Sequence, residues 1–222
     1  MIELALWNLT IPVGVPATVI STQELNGGYQ SDYFKSADGK VHFWAPVNGT
    51  STKGSEYPRS ELRETSADGK LRNWQYSAAD NYLTASMEVN QVPSTGRLII
   101  GQIHAYQQPK PLLKVEYLYQ EATKTGNIVA KYRPAPGTDD QPVTIAQGVA
   151  LNQRINYTIH LDPSGTLSVE ANGKKWSTPL NSGWQSKSLY FKAGVYVQDN
   201  SGYETEAGAT TFYDLKAEHR PL

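Results

Sequence analysis

The 222-residue chain has no cysteine, which excludes both a disulfide framework and a thiolate metal site. Net charge is also nearly absent, with 20 Lys and Arg against 21 Asp and Glu. A nucleic-acid binder normally carries a basic excess, so that class is set aside, although charge can still be concentrated in a groove. No run approaches the ~18 apolar residues of a membrane span, and no membrane association is expected. The start, Met1 to Trp7, lacks the basic segment and apolar core of a secretory leader. The compartment stays open between cytoplasm and a processed secreted or periplasmic form. Long helical periodicity, internal repeats and low-complexity linkers are missing as well.

What the chain does have is alternation. Turn signals at Asp38-Gly39, Asp68-Gly69, Pro163-Ser164-Gly165 and Asn172-Gly173 separate short segments of period two. Strands are expected over 40–47, 59–64, 83–89, 98–104, 113–120, 127–133, 155–161, 166–172, 189–198 and 210–217. Residues 1–30 read as irregular, punctuated by Pro12, Gly14 and Pro16. The exception is one helical turn, opened by the capping box Ser21 with Glu24 and closed by Asn26-Gly27-Gly28. Many short strands at this spacing predict one all-β domain over residues 1–222, a sandwich or closed barrel. The segment 199–208 reads equally as a moving lid or a long turn.

One stretch does not fit a plain half-buried strand. Side chains alternate faces along a strand. In Tyr190-Phe191-Lys192-Ala193-Gly194-Val195-Tyr196-Val197-Gln198, one face therefore collects Phe191, Ala193, Val195 and Val197, an ordinary core set. The other collects Tyr190, Lys192, Gly194, Tyr196 and Gln198. Two more segments repeat the pattern. Arg59, Glu61 and Arg63 share a face, with Leu62 opposite; Gln102 and His104 share another, with Ile99 and Ile103 pointing away. If these strands are neighbours, their polar faces form one surface. The 14 Tyr and 5 Trp suit stacking on sugar rings, and suit ordinary strands equally well.

The residue types restrict the chemistry. His104 is the one histidine in the cluster, which is too few for a metal site, and His42, His160 and His219 read as structural. No nucleophile elbow is present. Glycoside hydrolysis needs two free carboxyl groups, whereas the face offers chiefly Glu61 between two arginines, a poor acid. Cations, amides, an imidazole and phenols suit removal of a proton next to a carboxylate. Arg59 and Gln102 can neutralise that carboxylate, His104 or Tyr196 can take the proton, and Tyr196 can protonate the leaving oxygen.

At these positions the chain resembles the alginate lyases of polysaccharide lyase family seven. The family hallmarks Arg-(Ser/Thr)-Glu-Leu-Arg, Gln-(Ile/Val)-His and Tyr-Phe-Lys-Ala-Gly-x-Tyr-x-Gln stand here as Arg59–Arg63, Gln102–His104 and Tyr190–Gln198 without a departure. The resemblance implies a β-jelly roll sandwich of two curved antiparallel sheets with a concave substrate groove. It implies β-elimination on alginate, an anionic polysaccharide, without an organic cofactor; no metal is expected from the residue types, and a monomer is expected. By motif position Arg59, Gln102, His104 and Tyr196 are the catalytic candidates. Glu61, Arg63, Lys114, Tyr190, Lys192 and Gln198 are expected to bind the uronate chain or orient those side chains. Family members with Ile in the middle of Gln-x-His tend to accept guluronate-containing blocks, polyguluronate or mixed, and this chain has Ile103. A non-catalytic acidic-glycan-binding sandwich and a lyase on another polyuronate such as glucuronan are the alternative readings.

Overall fold

The alternation becomes fifteen strands in two antiparallel sheets in the computed structural model, which describes residues 1–222. In chain order they are β1 (Trp7–Thr10), β2 (Val19–Ile20), β3 (Phe34–Ala37), β4 (Lys40–Pro46), β5 (Arg59–Glu64), β6 (Asp80–Gln91), β7 (Arg97–Ala105), β8 (Leu113–Gln120), β9 (Thr125–Tyr132), β10 (Gln141–Ala150), β11 (Ile155–Leu161), β12 (Thr166–Ala171), β13 (Lys174–Pro179), β14 (Leu189–Val197) and β15 (Ala207–Arg220). One sheet runs β10-β9-β8-β7-β14-β5-β1-β2 and the other β13-β12-β11-β6-β15-β4-β3. The short helix α1 (Thr22–Asn26) starts where expected, and the Ser21 side chain accepts from the Glu24 amide as its N-cap.

Turn chemistry sets the hairpins. Asp38 with Gly39, and Asn172 with Gly173, both take positive φ at two successive residues. That is the primed turn that matches strand twist, and it joins β3 to β4 and β12 to β13. After β11, the Asp162 carboxylate accepts from the Ser164 and Thr166 amides and closes the turn into β12.

The inward faces meet in a core of 43 buried residues. From β14 come Phe191, Ala193, Val195 and Val197, all at 0% exposure. Phe43 and Phe212 from the facing sheet pack edge to face at 5.5 Å. Each fully buried Phe or Val among these stabilises the fold by roughly 1.5–3 kcal/mol. The three histidines outside the motifs are held by protein partners: His42 by Thr211, His160 by Asp80, and His219 by both Glu64 and Asn81.

One expectation needs correction, and two strands escape the alternation altogether. Residues 1–30 are not wholly irregular, because β1 pairs with β5 and β2 pairs with β1, flanking the Pro and Gly residues. β10 escapes a period-two reading because two register shifts interrupt its pairing with β9. β13 is a polar, largely exposed edge strand and so carries no apolar alternation.

Candidate active site

β5, β14 and β7, distant in sequence, lie side by side in that order. Register then fixes which side chains meet. Lys192 sits opposite Arg63 on one side and Gln102 on the other, Tyr190 opposite His104, and Tyr196 opposite Arg59. A groove of about 720 Å³ crosses this face, and Arg59, Gln102, His104, Tyr190, Lys192, Tyr196 and Gln198 all line it.

Glu61 lies beneath these residues, wholly buried. Its Oε1 takes Lys192 Nζ at 2.8 Å and Arg59 Nη1 at 3.0 Å, while Oε2 accepts from Gln102 Nε2 at 2.7 Å. Burial alone would raise the Glu61 carboxyl pKa. The Lys192 and Arg59 charges, with hydrogen bonds from Lys192 and Gln102, outweigh it and hold the pKa below the usual carboxylate range. Lys192 is pulled down to about 8, mainly by burial and with help from Arg59, against the opposing pull of Glu61. Glu61 is thus an anchor for three groove side chains and has no free edge for acid catalysis.

The Arg59 guanidinium carbon lies 3.8 Å from the Tyr196 ring centroid, which fixes the phenol from one side. Arg59 Nε is buried and has no partner in the protein. The Tyr196 hydroxyl meets Ser55 Oγ at 2.8 Å. Ser55 belongs to the segment between β4 and β5, of which residues 52–57 line the groove.

His104 stacks on Tyr190 with ring centroids 5.4 Å apart, and Arg63 lies 3.6 Å from the other ring's centroid. Nδ1 of His104 is 2.8 Å from the Ala105 amide nitrogen and 3.0 Å from the Ala105 carbonyl. Unprotonated, it accepts from the first; protonated, it donates to the second. Nε2 is left without a partner in either case. Burial, followed by the Lys192 charge, lowers the imidazole pKa to about 4, so the ring is neutral around pH 7.

A buried, cation-rich pocket with an imidazole and a phenol suits proton transfer next to a carboxylate. A family model for alginate lyase matches residues 2–219. The chain belongs to the alginate lyase family. An alginate lyase of Klebsiella pneumoniae is 31% identical over 278 residues, spanning 98% of this chain and 89% of its own. The crystal structure of an alginate lyase from Pseudomonas aeruginosa matches with a TM-score of 0.95 at 43% identity, covering 99% of this chain and 100% of that one. Alginate lyase A1-II′ of family 7, solved as a substituted variant with the substrate GGMG, gives 0.88 at 30% identity over 100% and 95% of the two chains. The two-sheet sandwich is the β-jelly roll of these lyases.

Within this alginate lyase the remaining expected site residues divide into two groups. Lys114 lines the groove opposite Gln102, with burial lowering its pKa, and Gln198 lines it just past β14. Glu61 and Arg63 do not line it. Arg63 donates to the Glu64 and Arg72 carbonyls and to Asn73 Oδ1, so it braces Tyr190 from behind. Ile103 points into the core as expected. Ile99 does not: a register shift after it puts it opposite Tyr196 and Glu116, on the groove side. The segment 199–208 contributes nothing to the groove lining. Its Asp199 is buried and accepts from the Thr95 and Ser201 amides.

Ser55 and Arg133 are groove residues that the sequence did not single out. Ser55 sits in a polar loop with no periodicity to flag it. Arg133 could have been found, because it follows Lys131 by two and so continues the same face of β9.

Proposed function

We propose that this alginate lyase acts as one catalytic domain over residues 1–222, cleaving 1,4 bonds of guluronate-containing alginate by β-elimination. Arg59, through its guanidinium, and Gln102, through its second amide hydrogen, hold the C6 carboxylate. Their charge and dipole stabilise the negative charge that builds there as the C5 proton leaves. The electron pair from the C5–H bond forms the C4–C5 double bond, and the bond from C4 to the glycosidic oxygen breaks. The Tyr196 hydroxyl donates its proton to that departing oxygen.

The two uronates place different demands on the base. In mannuronate the C5 hydrogen and the leaving oxygen lie on one side, so Tyr196 can serve both. In guluronate they lie on opposite sides, and His104 Nε2 takes the C5 proton while Nδ1–H donates to the Ala105 carbonyl. Ile103, packed in the core behind Gln102 and His104, is the sequence feature that favours guluronate. Glu61 supports the reading most directly, because it fixes Arg59, Lys192 and Gln102 together without competing for the proton.

The test is incubation with alginate while following the ultraviolet absorbance of the unsaturated product end. Steady growth on polyguluronate and mixed blocks is expected. Absorbance growth confined to polymannuronate would overturn the block assignment, and none on any alginate would overturn the reaction.

A further inference from the structure

Two buried polar side-chain atoms in the molecule have no hydrogen-bond partner, and both are guanidinium Nε atoms, of Arg59 and Arg133. Both arginines line the same groove. Arg59 has its place in the chemistry above. Arg133 does not, and nothing in the fold explains an unfilled donor on a side chain that is 7% exposed.

Its surroundings repeat the Glu61 arrangement in looser form. Asp140 Oδ2 lies 3.7 Å from Lys114 Nζ and 3.9 Å from Arg133 Nη1, both beyond hydrogen-bonding reach. Glu61 holds its two cations at 2.8 and 3.0 Å and is wholly buried, whereas the Asp140 side chain is 31% exposed. Arg133 Nη1 has one further contact, a long one of 3.4 Å to the Pro111 carbonyl. The two cations are therefore fixed by burial, while their counter-ion is half free.

Lys114 pairs with Gln102, and Arg133 immediately follows β9, the strand beyond Lys114. Strands lie ~4.8 Å apart, so Arg133 is displaced sideways from Gln102 by about two strand spacings. A carboxylate held there belongs to a neighbouring uronate, not to the one being cleaved. We propose that Arg133 and Lys114 form a second carboxylate-binding subsite for that neighbouring uronate, with Asp140 as the internal counter-ion that the substrate displaces. Arg133 supplies a planar guanidinium fork whose counter-ion is only loosely held, and Lys114 supplies a second charge.

The inference rests on the alginate reading, so its test measures binding and not turnover. Alginate oligomers of increasing length, from the dimer upward, are titrated calorimetrically into Tyr196→Phe, Tyr196→Phe/Arg133→Met and Tyr196→Phe/Asp140→Asn proteins, each checked for an intact melting transition. Affinity should rise steeply at the length that first reaches Arg133. Arg133→Met should weaken binding about tenfold for that length and longer, leaving shorter oligomers unchanged. Asp140→Asn should tighten binding of the long oligomers alone. An equal loss at every length in Arg133→Met, or weaker binding in Asp140→Asn, would overturn the subsite. Failure of the alginate reading would show separately, as no absorbance growth from the wild-type enzyme.

Discussion

Gln102 donates to Glu61 at 2.7 Å, and that one contact determines which way the amide faces the groove. With Glu61 ionised and accepting, the Gln102 nitrogen is the atom turned toward it. The remaining N–H is then available to the substrate carboxylate. Glu61→Gln removes the charge that balances two buried cations, and breaking such a pair typically costs ~3–5 kcal/mol. The variant should melt well below wild type and lose nearly all turnover, measured by thermal unfolding and by product absorbance. Near-wild-type values of both would remove Glu61 from its anchoring role.

Ser55 and Tyr196 offer a milder perturbation. Their 2.8 Å hydrogen bond orients the phenol from the loop between β4 and β5. A single hydrogen bond contributes about 1 kcal/mol net. Ser55→Ala should lower kcat about fivefold with KM little changed and the melting temperature intact. A pure KM effect would mean that Ser55 touches substrate instead.

His104 carries a pH signature. Its pKa near 4, lowered by burial, means that it is already neutral well below pH 6. Protonation disables a base, so activity on polyguluronate is lost as pH falls through that value and is present above it. The kcat/KM profile should stay flat down to about pH 5 and drop below, with circular dichroism confirming that the fold persists. An acid limb near 6.5 would contradict the assigned environment. His104→Ala should abolish cleavage of polyguluronate and spare polymannuronate, and equal losses on both would defeat the division of labour.

Gly194 is a backbone requirement inside the site strand. It has φ +145°, and a Cβ there would meet the Ser60 carbonyl at 2.6 Å. It also lies within the register shift between β14 and β7, and Thr210 donates to its carbonyl from the opposite sheet. Gly194→Ala should destabilise the protein by roughly 2 kcal/mol or more, read from denaturant unfolding. Unchanged stability would show that the strand relaxes around the added methyl.

The sequence made the site legible because the motif residues lie on strands of clean alternation. Arg59, Glu61 and Arg63 share a face, and so do Gln102 and His104, so pairing β5, β14 and β7 was enough to assemble the surface. Where a bulge breaks period two, the reading failed. Ile99 was assigned to the wrong side, and β10 was not seen at all. Faces also say nothing of depth: alternation puts Glu61 and Arg63 on the groove side, but not that they sit beneath and behind the residues that line it, where they orient side chains. Ser55 reaches Tyr196 from a loop, and loop contacts depend on tertiary closure that no local pattern encodes.

The central claim is that the Tyr196 hydroxyl moves the proton. Its most direct test compares the initial rate of product absorbance for wild type and Tyr196→Phe on alginate, beside calorimetric binding of the same polymer. The ring still packs under Arg59 in the variant, so fold and affinity should persist. General acid–base groups contribute ~10²–10⁴-fold, and the rate should fall by at least that much. A variant that keeps more than about a third of the wild-type rate would contradict the mechanism.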